Sequence, residues 1–117
     1  IRVLHLAPST SLSSPLQCEL FEVNLDQRPS FEALSYVWGR MTPGRHIFCS
    51  GSQLPITENC EAALRCLRHH ERPRVLWVDA ICINQSSNEE KSVQVALMGR
   101  IYGQSARVLA WLGKSSE

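Results

Sequence analysis

The chain has 117 residues, 44% of them hydrophobic and 20% charged, with a formal net charge of +1. That is the size and composition of one globular domain with a core of its own, which excludes a disordered segment and gives no overall pull toward nucleic acid. No charged n-region with an apolar h-region opens the sequence and no apolar run approaches the roughly twenty residues of a membrane span, so a soluble, cytoplasmic protein without membrane contact is expected.

Three strands are predicted in the first forty residues. "IRVLHL" alternates around Val3 and His5, "LQCELFEV" alternates from Leu16, and "FEALSYVWG" is rich in aromatic and β-favouring residues and ends on Gly39. "PSTSLSSP", between the first two, is a loop by composition. "RHIFCSGSQLPIT" reads as a short hairpin turned at Ser50-Gly51-Ser52, with Pro55 restricting its second arm to a sheet edge. Thr57 is the N-cap of a helix whose Cys60, Ala63, Leu64 and Leu67 share one face, and Pro73 ends it.

The near-continuous apolar run "RVLWVDAICI" predicts a strand covered on both faces. Helical spacing returns from about Asn88 to Gly103, with Val93, Leu97 and Ile101 on one stripe and Gln94, Met98 and Tyr102 beside it. "ARVLAWLG" predicts a last buried strand. The succession of strand, helix, buried strand, helix and buried strand implies right-handed crossovers and a parallel core, with a more antiparallel N-terminal part attached. A single domain over residues 1–117 is expected. Because the chain starts on an apolar run without Met and stops just after "WLGKSSE", it is expected to be a domain cut from something longer.

The five cysteines, Cys18, Cys49, Cys60, Cys66 and Cys82, form no CxxC pair and no Cys/His spacing of a zinc site, and an odd number cannot all pair within one chain. Reduced thiols, mostly in the core, and no metal are expected. Arg65, Arg68, Arg72 and Arg74, with His69 and His70 among them, gather at a predicted helix C-terminus, where cations complement the dipole. They read as a solvated helix end rather than a nucleic-acid surface. The chain lacks a Walker loop, a GxGxxG, an HExxH and a GxSxG, so ATPase, Rossmann dehydrogenase, zinc protease and serine hydrolase readings have no support.

Four segments in order and register, "FEALSYVWG" (Phe31 to Gly39), "LWVDAICINQ" (Leu76 to Gln85), "EKSVQVALMGRIY" (Glu90 to Tyr102) and "ARVLAWLG" (Ala106 to Gly113), together resemble the HET (heterokaryon incompatibility) domain of filamentous fungi. The N-terminal strands and the "CSG…LPIT" hairpin agree with the family's less specific opening. Arg40 stands where many members carry an acid after the Trp-Gly. The resemblance implies an α/β fold related to TIR (flavodoxin-like) domains, a mostly parallel sheet flanked by helices, with an N-terminal β-hairpin and antiparallel extension. It also implies that residues 1–117 are the N-terminal part of a longer protein, a cell-death effector that forms homo-oligomers on activation and works with other domains of its own chain and with incompatibility partner proteins.

In open parallel sheets, ligands bind beyond the C-terminal ends of the strands. Here those ends are Trp38-Gly39, Asp79 through Gln85, and Trp111-Gly113. Asp79, directly after an apolar strand, either orients a ribose hydroxyl or caps its own loop. Glu90 lies about as far past its strand as the glutamate with which TIR enzymes assist cleavage of the nicotinamide–ribose bond, where a carboxylate stabilises an oxocarbenium-like centre. It is equally the fourth residue of the capping box Ser87-x-x-Glu90. Asn84 and Gln85 suit a base edge or a phosphate, or satisfy their own loop. Tyr36 and Trp38 share one strand face, and Trp38 beside Gly39 either stacks on a base or packs in the core. Cys82, between Ile81 and Ile83, is in too apolar a context for a nucleophile. Two molecular actions follow. One is enzymatic: clustered domains cleave NAD as a substrate, with no bound cofactor, using Glu90 and Asp79 and a pocket of Tyr36, Trp38, Gly39, Asn84 and Gln85. The other is a non-enzymatic module that signals by self-association or partner binding.

Overall fold

A computed structural model describes residues 1–11, 13–36, 44–83 and 87–111. Its strands are β1 (Arg2–Leu6), β2 (Gln17–Glu22), β3 (Glu32–Tyr36), β4 (His46–Cys49), β5 (Ser52–Pro55), β6 (Arg74–Trp77) and β7 (Arg107–Trp111). The helices are α1 (Glu58–Leu67), the single turn α2 (Asp79–Cys82) and α3 (Asn88–Gln104), with a 3-10 turn at Leu25–Gln27. All seven strands form one sheet in the order β5-β4-β2-β1-β6-β3-β7.

The sheet is mixed. β6, β3 and β7 are mutually parallel neighbours, as the alternation of strands and helices predicts. The antiparallel part is not an appendage: β1 lies between β2 and β6, antiparallel to both, so the first strand runs through the middle of the sheet. The hairpin β4–β5 sits at the far end, with β4 parallel to β2. Ser50 and Gly51 both have positive φ, 49° and 86°, so the hairpin closes with the two-residue turn whose twist matches its strands. Pro55 lies on β5, an edge strand, where its missing N–H leaves no partner unsatisfied.

Helix α1 starts where Thr57 Oγ1 accepts the Cys60 N–H at 3.1 Å, and Cys60, Ala63 and Leu64 are fully buried. It ends at Leu67, well before Pro73, because Arg68 takes an extended backbone. Arg65 and Arg68 do not form a solvated helix end. Arg68 is buried and donates to the carbonyls of Ser11 (2.8 Å), Ser14 (3.1 Å) and Pro15 (3.1 Å), while Arg65 donates to Ser14 at 2.6 Å. The two arginines therefore hold the β1–β2 connection against α1.

The run "RVLWVDAICI" is strand only to Trp77. Val78 is extended and its carbonyl accepts from both Ile81 and Cys82, so the chain coils at once into α2. A short apolar run fits either period, and no Gly or Pro marks the change. Trp77, fully buried, meets Tyr102 of α3 edge to face at 5.7 Å. Leu76, its neighbour, is also fully buried.

Two burial expectations are corrected. On α3, Val93 is 58% exposed whereas Gln94 is only 9% exposed, so the inward stripe runs through Gln94 and Ile101. β7 is an edge strand with Arg107, Val108 and Ala110 exposed, not a buried one, because among the described residues only β3 pairs with it. All five cysteines are free, and Cys18, Cys60 and Cys82 are buried. Among the described residues no helix is long and apolar enough to cross a membrane.

Candidate functional site

The parallel strands β3, β6 and β7 end on one edge of the sheet, at Tyr36, Trp77 and Trp111. Because β1 is antiparallel to β6, with Leu4 opposite Leu76 and Leu6 opposite Arg74, the beginning of β1 reaches the same edge. Arg2 therefore arrives beside the residues that follow β6.

Its guanidinium bridges two of them. Nε donates to the Cys82 carbonyl at 3.1 Å, and Nη2 pairs with Oε1 of Glu90. Glu90 occupies the first turn of α3, where Ser87 Oγ accepts the Glu90 N–H at 3.2 Å. The Ser87 half of the capping box is thus formed, while a carboxylate oxygen of Glu90 turns to Arg2. Both side chains are about a quarter exposed, 27% each, so the pair is partly shielded from water.

Asp79 opens α2, immediately beyond β6, and is half-buried. Its charge reaches several neighbours. Tyr36, at the end of β3, is pushed above its ordinary pKa by burial first, and then by the Cys60 thiol and by Asp79. Tyr102 is raised by burial and by Asp79. Burial pushes the Cys60 thiol up to about 11, with Asp79 adding to the rise and the neighbouring Tyr36 hydroxyl acting against it. Burial likewise raises Cys82 to about 12, opposed in part by the Val78 N–H that points at its sulfur, 3.3 Å away. Neither thiol is suited to nucleophilic attack near neutral pH. The Tyr36 hydroxyl is buried and has no hydrogen-bond partner in good geometry among the described residues.

The edge therefore gathers Tyr36, Asp79 and Glu90 from β3, α2 and α3. Trp38, Gly39, Asn84 and Gln85 lie outside the described residues, as does Arg40. Arg2 is the participant that sequence reasoning missed. Its alternating strand marked it only as a charged strand start, and no local pattern links it to a residue 88 positions away. Among the described residues, no cluster of three His, Cys, Asp or Glu side chains could hold a metal ion. A cleft of about 700 Å³ lies between the β2–β3 connection and the middle of α3, lined among others by Val23, Leu25, Leu97 and Arg100, and Tyr36, Asp79 and Glu90 do not border it.

Comparison with known proteins matches residues 31–117 to the model of the family described as heterokaryon incompatibility protein (HET). The chain is also similar to "Heterokaryon incompatibility protein 6, OR allele" of Neurospora crassa, at 40% identity over 126 aligned positions. That alignment covers 97% of this chain but 18% of the relative, so the chain spans under a fifth of the length of the curated protein it matches. No solved structure matches the chain.

Proposed function

For a chain that belongs to the heterokaryon incompatibility family, we propose a role as a cell-death effector domain in fungal incompatibility that cleaves the nicotinamide–ribose bond of NAD when copies cluster. The observation that carries this reading is the convergence of Tyr36, Asp79 and Glu90, from three separate elements, on the edge where the parallel strands end. Such an edge is where α/β sheets of the proposed TIR-like kind bind their ligands.

In this reaction the C–N bond breaks and its electron pair leaves with nicotinamide. Water then adds to the ribose carbon and loses a proton. Glu90, oriented by Arg2, stabilises the positive charge that develops on the ribose, and Asp79 accepts from a ribose hydroxyl. NAD is a substrate here, and the domain needs no bound cofactor. Trp38, Gly39, Asn84 and Gln85 complete the proposed pocket.

The Arg2–Glu90 pair also favours a second reading. A carboxylate that ties β1 to the start of α3 serves the fold, and the domain would then signal through self-association or protein partners without chemistry. The test is to force the domain into oligomers, supply NAD and follow it by mass spectrometry. The enzymatic reading expects nicotinamide and ADP-ribose to appear, and Glu90→Gln to abolish them. Because Glu90→Gln also removes the ion pair, Arg2→Met is the matched control: it breaks the same pair, keeps the carboxylate and should retain measurable turnover. Clustered wild-type domain that kills cells while NAD stays intact would establish the second reading instead.

A further inference from the structure

The opposite edge of the sheet carries its own chemistry. There β3, β6 and β7 begin at Glu32, Arg74 and Arg107, and the turn from α1 into β6 brings His69 and Arg72 to the same place. A cleft of about 440 Å³ opens between them, lined by Ser30, Glu32, His69, Arg72, Arg74 and Arg107 among others. A second cleft of the same size shares His69 and Arg72 and continues to His70.

The cations at this edge divide by what they already hold. Arg65 and Arg68 are taken up by the backbone of the β1–β2 connection. Arg74 grips Glu32 with two nitrogens, at 2.8 and 3.2 Å, and donates to the Leu67 carbonyl at 2.8 Å. Arg107 is only loosely engaged: its Nε lies 3.6 Å from Glu32 and its side chain is 72% exposed. Arg72 is exposed and stands in no ion pair among the described residues. Among the described residues, three guanidinium groups thus line one small cleft against a single carboxylate, whose two oxygens Arg74 already occupies.

We propose that this cleft is a binding site for the phosphate group of a small phosphorylated molecule, held between Arg72 and Arg107. Planar guanidinium forks match the tetrahedral oxygens of phosphate and bond them in pairs. The size of the cleft suits one small ligand. A nucleic acid needs a stripe of cations spaced along several phosphates, and here Glu71 interrupts the cations in the adjoining cleft. The electrostatic field has the sign the site requires. Burial, then Arg74 and Arg72, hold the His69 imidazole below its ordinary 6.5, outweighing the opposite effect of Glu32. An arriving phosphate reverses that sign and draws a proton onto His69. The site is on the edge away from Glu90 and is independent of NAD cleavage, so either assignment can fail alone.

Inorganic phosphate and pyrophosphate titrated into the chain at low ionic strength, followed by the imidazole proton resonances, test it. The expected result is a saturable shift of His69 with a rise in its pKa, while His5 and His46 stay in place. Arg72→Ala and Arg107→Ala should each weaken binding about tenfold, and the double variant should lose it, whereas Lys91→Ala, the same charge change on α3, should leave it intact. Shifts of all four histidines together without saturation, or unchanged binding in Arg72→Ala, would overturn the site in favour of general charge screening. Displacement of pyrophosphate by short polyglutamate at lower concentration would overturn the phosphate assignment in favour of a protein-docking surface.

Discussion

Arg2 and Glu90 are joined across 88 positions of sequence by an ion pair that closes the C-terminal edge of the sheet. The same guanidinium holds the carbonyl of Cys82, so one side chain of β1 fixes the end of α2 and the start of α3 together. Whatever chemistry the edge performs, its geometry depends on this contact.

A double-mutant cycle measures it. Arg2→Met and Glu90→Gln should each destabilise the chain by about 1–2 kcal/mol, and the double variant by less than the sum, with a coupling energy of roughly 0.5–1.5 kcal/mol once partial exposure is discounted. Urea unfolding of the four proteins gives these values. Strict additivity would mean that the two side chains do not support one another in solution.

Local chemistry made much of the fold legible. Thr57, Ser87, Ser50-Gly51 and Pro55 act within a few residues of themselves, and each predicted cap, turn or edge position has its counterpart in the structure. Three things were not legible for definite physical reasons. The strand-to-helix change at Val78 falls inside an apolar run with no period to reveal it. The inward face of α3 passes through a polar Gln94, which hydropathy assigns to the flank. The role of Arg2 arises only when β1 enters the sheet next to β6, a pairing between segments some 70 residues apart. Of the site residues, Tyr36, Asp79 and Glu90 reach one edge, but what joins them there is tertiary.

The β4–β5 turn isolates backbone strain from packing. A Cβ on Gly51 would meet nothing within 4 Å, yet its φ of 86° disfavours any side chain. Gly51→Ala should therefore lower stability by about 1 kcal/mol purely through the backbone. Ser50, also at positive φ, should gain a few tenths of a kcal/mol on replacement by Asn, which tolerates that conformation better. Thermal unfolding of both variants checks the pair of signs.

Glu32 supplies a pH dependence with a definite direction. The Arg74 hydrogen bonds, its largest influence, hold the Glu32 carboxyl below its ordinary 4.5, with the charges of Arg74 and Arg107 acting the same way. A carboxyl lowered on folding stabilises the native state above its unfolded pKa, and that stabilisation is lost as pH falls through the folded value. Glu32→Gln should cost about 1–3 kcal/mol near neutral pH and progressively less as the pH falls from the ordinary 4.5 through the lowered folded value, where the wild-type group takes up its proton. Denaturant midpoints for both proteins from pH 7 to pH 3 should converge at the acid end. A gap that persists unchanged would assign the loss to packing rather than to charge.

Gln94 offers a substitution that should stabilise. It lies on the inward face of α3, 9% exposed, and its side-chain carbonyl has no hydrogen-bond partner among the described residues. A buried acceptor without a donor retains the desolvation penalty of leaving water, about 1–3 kcal/mol. Leu and Met are of similar length, have equal or better helix propensity, and would place apolar atoms on the side that faces the core. Gln94→Met should raise stability by about 1 kcal/mol, and Gln94→Leu by a similar amount. Gln94→Glu should have the opposite effect, because a carboxylate in the same place is costlier to bury than an amide and nothing described pairs with it. Urea unfolding orders the four proteins. If Met and Leu destabilise as Glu does, the amide has a partner that only the native protein in water supplies, and the inward face of α3 is polar by design of the fold rather than by tolerance.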